Sequence, residues 1–347
     1  MRVCKQWYSL ATPYLYEAII IGRCKTLKTL CDVLQPLRSP ENADAGNDHP
    51  LGWWSTRLDV AMCDGPTNIE LESLLQIIHS LPNLKILVFR ITISNYQYDF
   101  PDSFVHHLSR SPKPSLLAIV WYTRALMPNR YQWHAFLVNM PSLRTLSCVH
   151  IDRLSDDPLP ALPALRTFCL PYSGSVLLNS TTRIRSLTLG AYNVDADWKK
   201  FLLNYGHQLE VVRVHVIWKS GVLHVLDTIS QTCPKLRRLD IAIQSWGELS
   251  LAHDGLSLPA TIRSFGLYRR PSQAPRASYK QLFSALRNMK VGPEFESIQF
   301  LNPSNVMDLC EHHRGLLLAN LNELRFGMLD HEGRTLANLT GSLFVSI

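Results

Sequence analysis

Two clusters in the sequence carry side chains able to hold a metal ion, His106-His107 and Cys310-Glu311-His312-His313. Imidazole nitrogen and thiolate sulfur are the usual ligands of zinc. Adjacent residues on one helix point in different directions, so neither cluster clamps an ion without partners from elsewhere in the chain. Both are read as structural or solvent-facing, and no metal or other cofactor is expected. The spacings that mark other chemistry do not occur: there is no Gly-x-x-x-x-Gly-Lys-Ser/Thr phosphate loop, no Gly-x-Gly-x-x-Gly turn, no Gly-x-Ser-x-Gly elbow and no His-Glu-x-x-His pair. An enzymatic function therefore has no positive support, and none is expected.

What the sequence does repeat is a structural phrase. Leu81-Pro-Asn-Leu-Lys-Ile-Leu87, Met140-Pro-Ser-Leu-Arg-Thr-Leu146, Leu162-Pro-Ala-Leu-Arg-Thr-Phe168 and Cys233-Pro-Lys-Leu-Arg-Arg-Leu239 share one pattern. Its core is an apolar anchor with apolar residues three and five positions later. The same core recurs at Leu116/Ile119/Trp121, Ile184/Leu187/Leu189, Leu209/Val212/Val214 and Ile262/Phe265/Leu267. Looser copies are Phe295/Ile298/Phe300 and Leu321/Leu324/Phe326, with Leu58 and Val60 as the tail of a first copy, about eleven units in all. Anchors are 19 to 33 residues apart, the range of leucine-rich repeats. Apolar residues at +3 and +5 belong to a short strand with one face buried, and such strands gain stability by stacking in parallel.

Parallel strands need a crossover, and helical stripes supply it. Leu71, Leu74, Leu75 and Ile78 share a helix face, as do Trp133, Phe136, Leu137 and Met140. The pattern returns at Trp198, Phe201, Leu202 and Tyr205, at Val222, Val225, Leu226 and Ile229, and at Leu282, Phe283, Leu286 and Met289. The units that start at Leu143 and Leu165 are too short for a helix, so turns or extended chain are expected there. The predicted fold class is α/β: a leucine-rich-repeat solenoid, a continuous curved parallel sheet with outer helices, over 53–347.

If the +3 and +5 side chains point inward, those at +4 and +6 line the exposed sheet. They include Val88, Arg90, Val120, Tyr122, Arg213, His215, Asp240, Tyr268, Gln299 and Arg325, with Arg238 at the flanking +2 place. Arg and Tyr are frequent interface anchors, so Arg90, Tyr122, Arg213, His215, Arg238, Asp240 and Tyr268 are the candidate partner-binding residues. Arg213 and Asp240 stand at equivalent places on neighbouring strands, where they either pair with each other or face a ligand. Arginine exceeds acid on this face, so an acidic or phosphorylated protein segment is the expected target.

Composition sets the outer limits. With 347 residues, 46% hydrophobic and 18% charged, the chain is globular in class. No apolar stretch approaches a membrane span, and Lys5, Gln6, Pro13 and Glu17 interrupt any secretory signal. A cytoplasmic or nuclear location is expected, with no membrane partner. The eight cysteines show no Cys-x-x-Cys pair and are read as reduced core residues. Net charge is +7, and its surplus is concentrated between Gly255 and Pro293, where Arg263, Arg269, Arg270, Arg276, Lys280, Arg287 and Lys290 occur without an acid. That stretch is read first as a solvated basic surface and second as a nucleic-acid contact.

The first fifty residues lie outside the repeat. Residues 39–52 contain Pro, Gly, Asn and acids and read as a flexible linker, and Leu27, Leu30, Cys31 and Leu34 before it mark a short amphipathic helix. Earlier still, Val3, Cys4 and Trp7 are followed by Ala11, Pro13, Leu15, Tyr16 and Ile19. This opening resembles the second half of an F-box, as found in fungal F-box proteins with irregular leucine-rich repeats. The Leu-Pro-x-Glu-type helix that opens such a box is not in the sequence, so the chain is expected to start inside the motif, with a partial F-box and its following helix over 1–38. The resemblance implies a substrate-recognition subunit of an SCF-type ubiquitin ligase. Val3, Cys4, Trp7, Leu15 and Tyr16 would then contact a Skp-type adaptor and its cullin complex, and the repeats would hold the target. A repeat scaffold with no ligase role is the alternative, and a nucleic-acid-binding solenoid the third reading.

Overall fold

The computed structural model of the chain describes residues 5–34, 50–62, 67–91, 102–110, 113–122, 130–148, 158–170, 177–191, 198–216, 221–251, 255–270 and 279–338. The chain divides into two compact units, 1–183 and 184–347. Both are built from short parallel strands that follow one another in sequence order.

In the first unit the strands are β1 (Ala18–Ile21), β2 (Arg57–Val60), β3 (Ile86–Phe89), β4 (Ala118–Trp121), β5 (Thr145–Cys148) and β6 (Thr167–Leu170). Its helices are α1 (Lys5–Leu15), α2 (Leu27–Leu34), α3 (Asn68–His79), α4 (Asp102–Arg110) and α5 (Arg130–Val138). The register places Ile19, Leu58, Leu87, Ile119, Leu146 and Phe168 in one row across the sheet. All six are buried, and so is the row two residues on, Ile21, Val60, Phe89, Trp121 and Cys148. These are the +3 and +5 positions, and their alternation is what turns one strand face toward the helices. Among them Phe89 meets Phe104 of α4 edge-on and Trp121 at 4.2 Å, and Trp121 meets Trp133 of α5 at 5.2 Å. Helix α3 starts where Thr67 and Glu70 cap each other's backbone N–H groups, which satisfies donors that the helix itself leaves unpaired.

The second unit repeats the plan. Its strands are β7 (Ser186–Ala191), β8 (Val211–Val216), β9 (Arg238–Ile243), β10 (Ser264–Arg269), β11 (Ser297–Phe300) and β12 (Gly327–Leu329). Its helices are α6 (Trp198–Tyr205), α7 (Gly221–Thr232), α8 (Tyr279–Arg287), α9 (Pro303–His312) and α10 (Arg314–Leu321). Leu187, Val212, Leu239, Phe265, Ile298 and Met328 form its +3 row, again fully buried. Between β9 and β10 the crossover is a 3-10 turn, Trp246–Leu251. In both units the predicted helical stripes face inward: Leu71, Leu74, Leu75, Ile78, Trp133, Phe136, Leu137, Met140, Trp198, Phe201, Leu202, Val222, Val225, Leu226, Ile229, Leu282, Phe283, Leu286 and Met289 are buried, and Tyr205 is half-buried. Between β5, β6 and the strand after it the described residues 158–166 and 177–185 hold no helix, while 149–157 and 171–176, where turns or extended chain are expected, lie outside the described residues.

One backbone contact repeats at nearly every step. The carbonyl of the residue after the anchor accepts two N–H groups, from the first two residues after the anchor of the next strand. Thr56 O accepts from Lys85 N and Ile86 N at 2.8 and 3.0 Å, Lys85 O from Leu117 N and Ala118 N, and Leu117 O from Arg144 N and Thr145 N. In the second unit Arg185, Glu210, Arg237 and Arg263 do the same. Both lone pairs of one carbonyl are thereby used, and the next strand has a single register available to it. Ahead of the anchor a short turn closes, as in Leu143 N to Met140 O at 3.1 Å and Leu236 N to Cys233 O at 3.2 Å. This turn is the Pro-containing phrase seen in the sequence.

Three features depart from the sequence reading. First, Ala18–Ile21, within the stretch that resembles an F-box, is a strand of the sheet and pairs with β2 in register. Its helix α2 packs on α3, with the Cys31 thiol donating to Gln76 Oε1, so this stretch is a further repeat. The anchors of these first two units are Tyr16 and Ser55, whose types conceal the pattern; Ser55 is fully buried and its hydroxyl donates to Tyr16 O at 2.6 Å. Second, the last two residues of the expected linker, Leu51 and Gly52, belong to a 3-10 turn, Leu51–Trp54, that leads into β2, while 39–49 lie outside the described residues. Third, the last unit is shifted. Leu324 and Phe326 are only half-buried, Phe326 stacks edge-on against Phe295, and Met328 takes the buried place beside Ile298. Helix α10 runs to Leu321 and its end bonds Asn320 O to the N–H groups of Glu323 and Leu324, so the phrase that imitates a strand is used in leaving the helix. Arg325 consequently sits before β12 and not at a +4 position.

The strand β12 is followed by a closed turn. Asp330, fully buried, accepts from Glu332 N, Arg334 N and Arg334 Nε. Gly333 supplies the positive φ of 84° that the turn needs, and Leu329 bridges Thr335 in antiparallel fashion. In the first unit, Lys113 is buried and donates through Nζ to His79 O and Leu81 O at 3.4 and 3.3 Å, a cation set at the carbonyl end of α3. Among the described residues no helix is long and apolar enough to cross a membrane. The six described cysteines are in no disulfide, and burial pushes the thiols of Cys148, Cys169, Cys233 and Cys310 up, away from reactivity.

Replacing Leu236 or Met328 with Ala should each cost about 2 to 5 kcal/mol in urea unfolding of the full chain, because both side chains are completely buried. Leu324→Ala should cost less than about half as much. Equal costs at Leu324 and Met328 would contradict the register described for the last strand.

Candidate recognition face

The side chains at +2, +4 and +6 stand on the sheet face that the helices do not cover. In the first unit this face is largely apolar or small: Ile20 on β1, Val88 on β3, Val120 on β4, Ser147 on β5 and Cys169 on β6 share the +4 row. Arg57 and Asp59 on β2 form a bidentate pair at 2.8 and 2.9 Å, and that bond raises the guanidinium's pKa. Arg90 follows β3 and is exposed, with no side-chain partner among the described residues. Tyr122 follows β4, is 41% exposed, and its hydroxyl oxygen accepts from the Ser147 hydroxyl at 3.1 Å. Val88, expected to be available on this face, is instead buried.

In the second unit the same rows are polar and connected. Asp240 on β9 is buried and accepts from Arg213 Nε on β8 at 3.2 Å through Oδ2 and from Arg238 Nε, two residues earlier on its own strand, at 2.9 Å through Oδ1. Arg238 reaches across β10 and donates from Nη2 to Gln299 Oε1 on β11 at 2.8 Å. Gln299 in turn donates to His331 O at 3.3 Å. This bridging is possible because the residue between Asp240 and Gln299 in the +4 row is Gly266. A Cβ there would lie on Asp240 Oδ1 and press against the Leu301 side chain. The strand glycine is a packing requirement of the charge cluster above it.

The structure thus brings Arg213, Arg238 and Asp240 of the candidate residues into one network, with His215 two residues beyond Arg213 on β8. His215 is half-buried, and burial first, then the nearby Arg270, lower its pKa, so it is neutral where a free histidine begins to charge. Tyr268 is half-buried after Gly266 on β10. Arg90 and Tyr122 belong to the other unit. Gln299 and Gly266 were missed as site residues; a glycine inside a strand pattern is itself the signal of a close approach. Of the adaptor-contact candidates, Val3 and Cys4 lie outside the described residues, as does the side chain of Trp7. Leu15 is 72% exposed at the end of α1, and Tyr16 is half-buried.

The remaining clusters do less. His106 and His107 are exposed on α4 with their rings 6.1 Å apart, and His313 stacks on Tyr279. No group of three His, Cys, Asp or Glu among the described residues is arranged to hold a metal ion. In the basic stretch, Arg263 pairs with Glu294, which adjoins it, and Arg287 with Glu323, which follows α10. No family model matches the chain, and comparison with curated proteins returns no match.

Two outcomes test this geometry. Gly266→Ala should destabilise the protein by about 1 to 3 kcal/mol, and adding Asp240→Ala should relieve part of that loss, a coupling above about 0.5 kcal/mol in a double-mutant cycle. Additive losses would show that the two positions do not share space. The second test is the pH dependence of His215. Its folded pKa is lowered, so the unfolded chain takes up the proton first, and stability falls as pH drops from about 6.5 toward the folded value. His215→Gln should therefore lose less melting temperature than the unaltered protein between about pH 7.5 and 5.5. Parallel losses would rule out His215 as a contributor.

Proposed function

We propose that this chain recognises a protein partner on the uncovered face of its parallel sheet and carries out no reaction itself, in the manner of a substrate-recognition subunit of an SCF-type ubiquitin ligase. The observation that carries the reading is the Arg213–Asp240–Arg238–Gln299 network, in which a buried carboxylate holds two arginines in place on a face where Arg213 keeps half of its side chain exposed. Long side chains on a solvated surface ordinarily lose entropy by such fixing. Fixing them in advance lowers the cost of binding.

Adaptor docking is supported by the exposed apolar side chains of α1, Leu10, Tyr14 and Leu15, at 59, 81 and 72% exposure. The scaffold reading without a ligase role is favoured by a different observation: Ile19 is buried in the sheet and Tyr16 O holds Ser55, so part of the F-box-like phrase serves the repeat. Nucleic-acid binding by the basic stretch is the weakest of the three, since Arg263 and Arg287 are engaged by glutamates.

The full chain mixed with purified Skp-type adaptor decides between the first two. Adaptor capture that falls at least about tenfold in a folded Leu10→Glu/Leu15→Glu variant supports docking through α1; no capture, or capture that the variant leaves intact, supports the scaffold. For the face, charge reversal of Arg90, Arg213 and Arg238 to Glu should remove the protein that co-purifies with the chain from its native cells. Retention by the folded triple variant would end the recognition reading.

A further inference from the structure

Resting on the reading of the sheet face as the recognition surface, we infer that its second-unit portion takes an acidic segment in extended conformation, with two carboxylates, one for each of the guanidiniums of Arg213 and Arg238.

Only some of the nitrogens on these two arginines are already engaged. Arg213 gives only Nε to Asp240. Arg238 gives Nε to Asp240 and one Nη2 N–H to Gln299. Among the described residues the remaining N–H groups of both forks have no protein partner, while the side chains stay 50 and 34% exposed. A guanidinium is always charged and its donors lie in one plane, a geometry that matches a carboxylate edge to edge. Both guanidiniums are anchored through Nε, which leaves Arg213 its Nη groups, and Arg238 its Nη1 and one Nη2 N–H, for a ligand.

Charge points the same way. Along the +2, +4 and +6 rows of β7 to β12, Asp240 is the single acid, set against Arg213 and Arg238. Arg270 adds a further positive charge close enough to act on His215. The site is a cation pair with one internal counter-charge, so it is undersaturated in acid.

The position of Asp240 sets the number of ligand groups. Its Oδ2 holds Arg213 and its Oδ1 holds Arg238, so the two forks lie on either side of a buried negative charge and do not converge on one point. A single tetrahedral dianion placed between them would sit over Asp240 and be repelled by it. Two separate carboxylates flanking Asp240 avoid that repulsion. In an extended peptide, side chains at i and i+2 share one face, so such a segment can offer one carboxylate to Arg213 and another to Arg238, which reaches over β10 toward Gln299. The ligand class is therefore an extended segment of the form acid-x-acid.

The probe is a blocked Glu-Gly-Glu peptide, with Gln-Gly-Gln and O-phosphoserine as comparisons, titrated into the full chain and followed by calorimetry and by the side-chain Nε–H resonances of arginine. Glu-Gly-Glu should bind, weaken with salt, and lose affinity about tenfold or more in Arg213→Gln and in Arg238→Gln. Arg238→Lys, which keeps the charge but not the fork, should lose nearly as much. Gly266→Ala should also weaken binding, although it touches no ligand, because it displaces Asp240. Arg185→Gln, which alters an arginine outside these rows, should change nothing. Equal binding of Gln-Gly-Gln, binding of O-phosphoserine in preference to Glu-Gly-Glu, or indifference to Arg213→Gln would overturn the inference. If the peptide fails while the charge-reversed triple variant still loses its cellular partner, only this inference falls; if that variant keeps the partner, the recognition reading falls with it.

Discussion

The fold rests on one carbonyl per repeat. Thr56 O, Lys85 O, Leu117 O, Glu210 O, Arg237 O and their equivalents each accept two N–H groups of the following strand. A strand of four residues has few ladder bonds with which to define its place, and a slip of one residue would turn every buried side chain outward. The doubly accepting carbonyl removes that freedom at the first two residues of the strand. Side-chain direction is then determined: +3 and +5 go inward, +2, +4 and +6 go outward, and the same rows recur at each step. The buried rows tolerate Leu, Ile, Val, Phe, Trp, Cys and Met alike, because register is set by backbone and volume is adjusted locally.

On the outward rows this regularity allows side chains from three strands to cooperate. Asp240, Gly266 and Gln299 stand in line, and the missing side chain in the middle lets a carboxylate and a guanidinium extend over the strand between. A buried carboxylate that held only one partner would be a liability; here both oxygens are engaged by charged donors, and the arrangement orients the arginines at the same time. The contrast with the first unit, whose equivalent row is Ile20, Val88, Val120, Ser147 and Cys169 apart from Asp59, shows that identical backbones present different chemistry according to what occupies alternate positions.

The repeat and its helices were legible because apolar periodicity reports burial directly. Failure came where residue type and role part company. Tyr16 and Ser55 occupy anchor positions without being aliphatic, so the first strand hid inside a phrase that resembles something else. Leu321, Leu324 and Phe326 reproduce the spacing of a strand but are placed by the end of α10, while Met328, in a weaker pattern, carries the burial. The charge cluster was only half legible. Asp240 and Arg213 stand in equivalent positions in the sequence, but that Asp240 is buried and serves two arginines depends on Gly266, a residue whose contribution is the side chain it lacks.

The turn built on Asp330 bears on how such a chain can change length. A sheet made of parallel strands exposes an edge at its last member, and any added strand, from the same chain or from another molecule, would bond there. At Leu329 that edge is taken up: the chain doubles back, Thr335 bridges Leu329 in the opposite direction, and the buried carboxylate holds the reversal through three donors. Units can therefore be gained or lost by duplication within the body of the repeats, where the joints are alike, whereas a strand added onto β12 would have to displace the Leu329–Thr335 bridge. The same reversal takes the backbone of Leu329 away from a neighbouring molecule, so a stack that is open-ended by construction carries a guard at that residue.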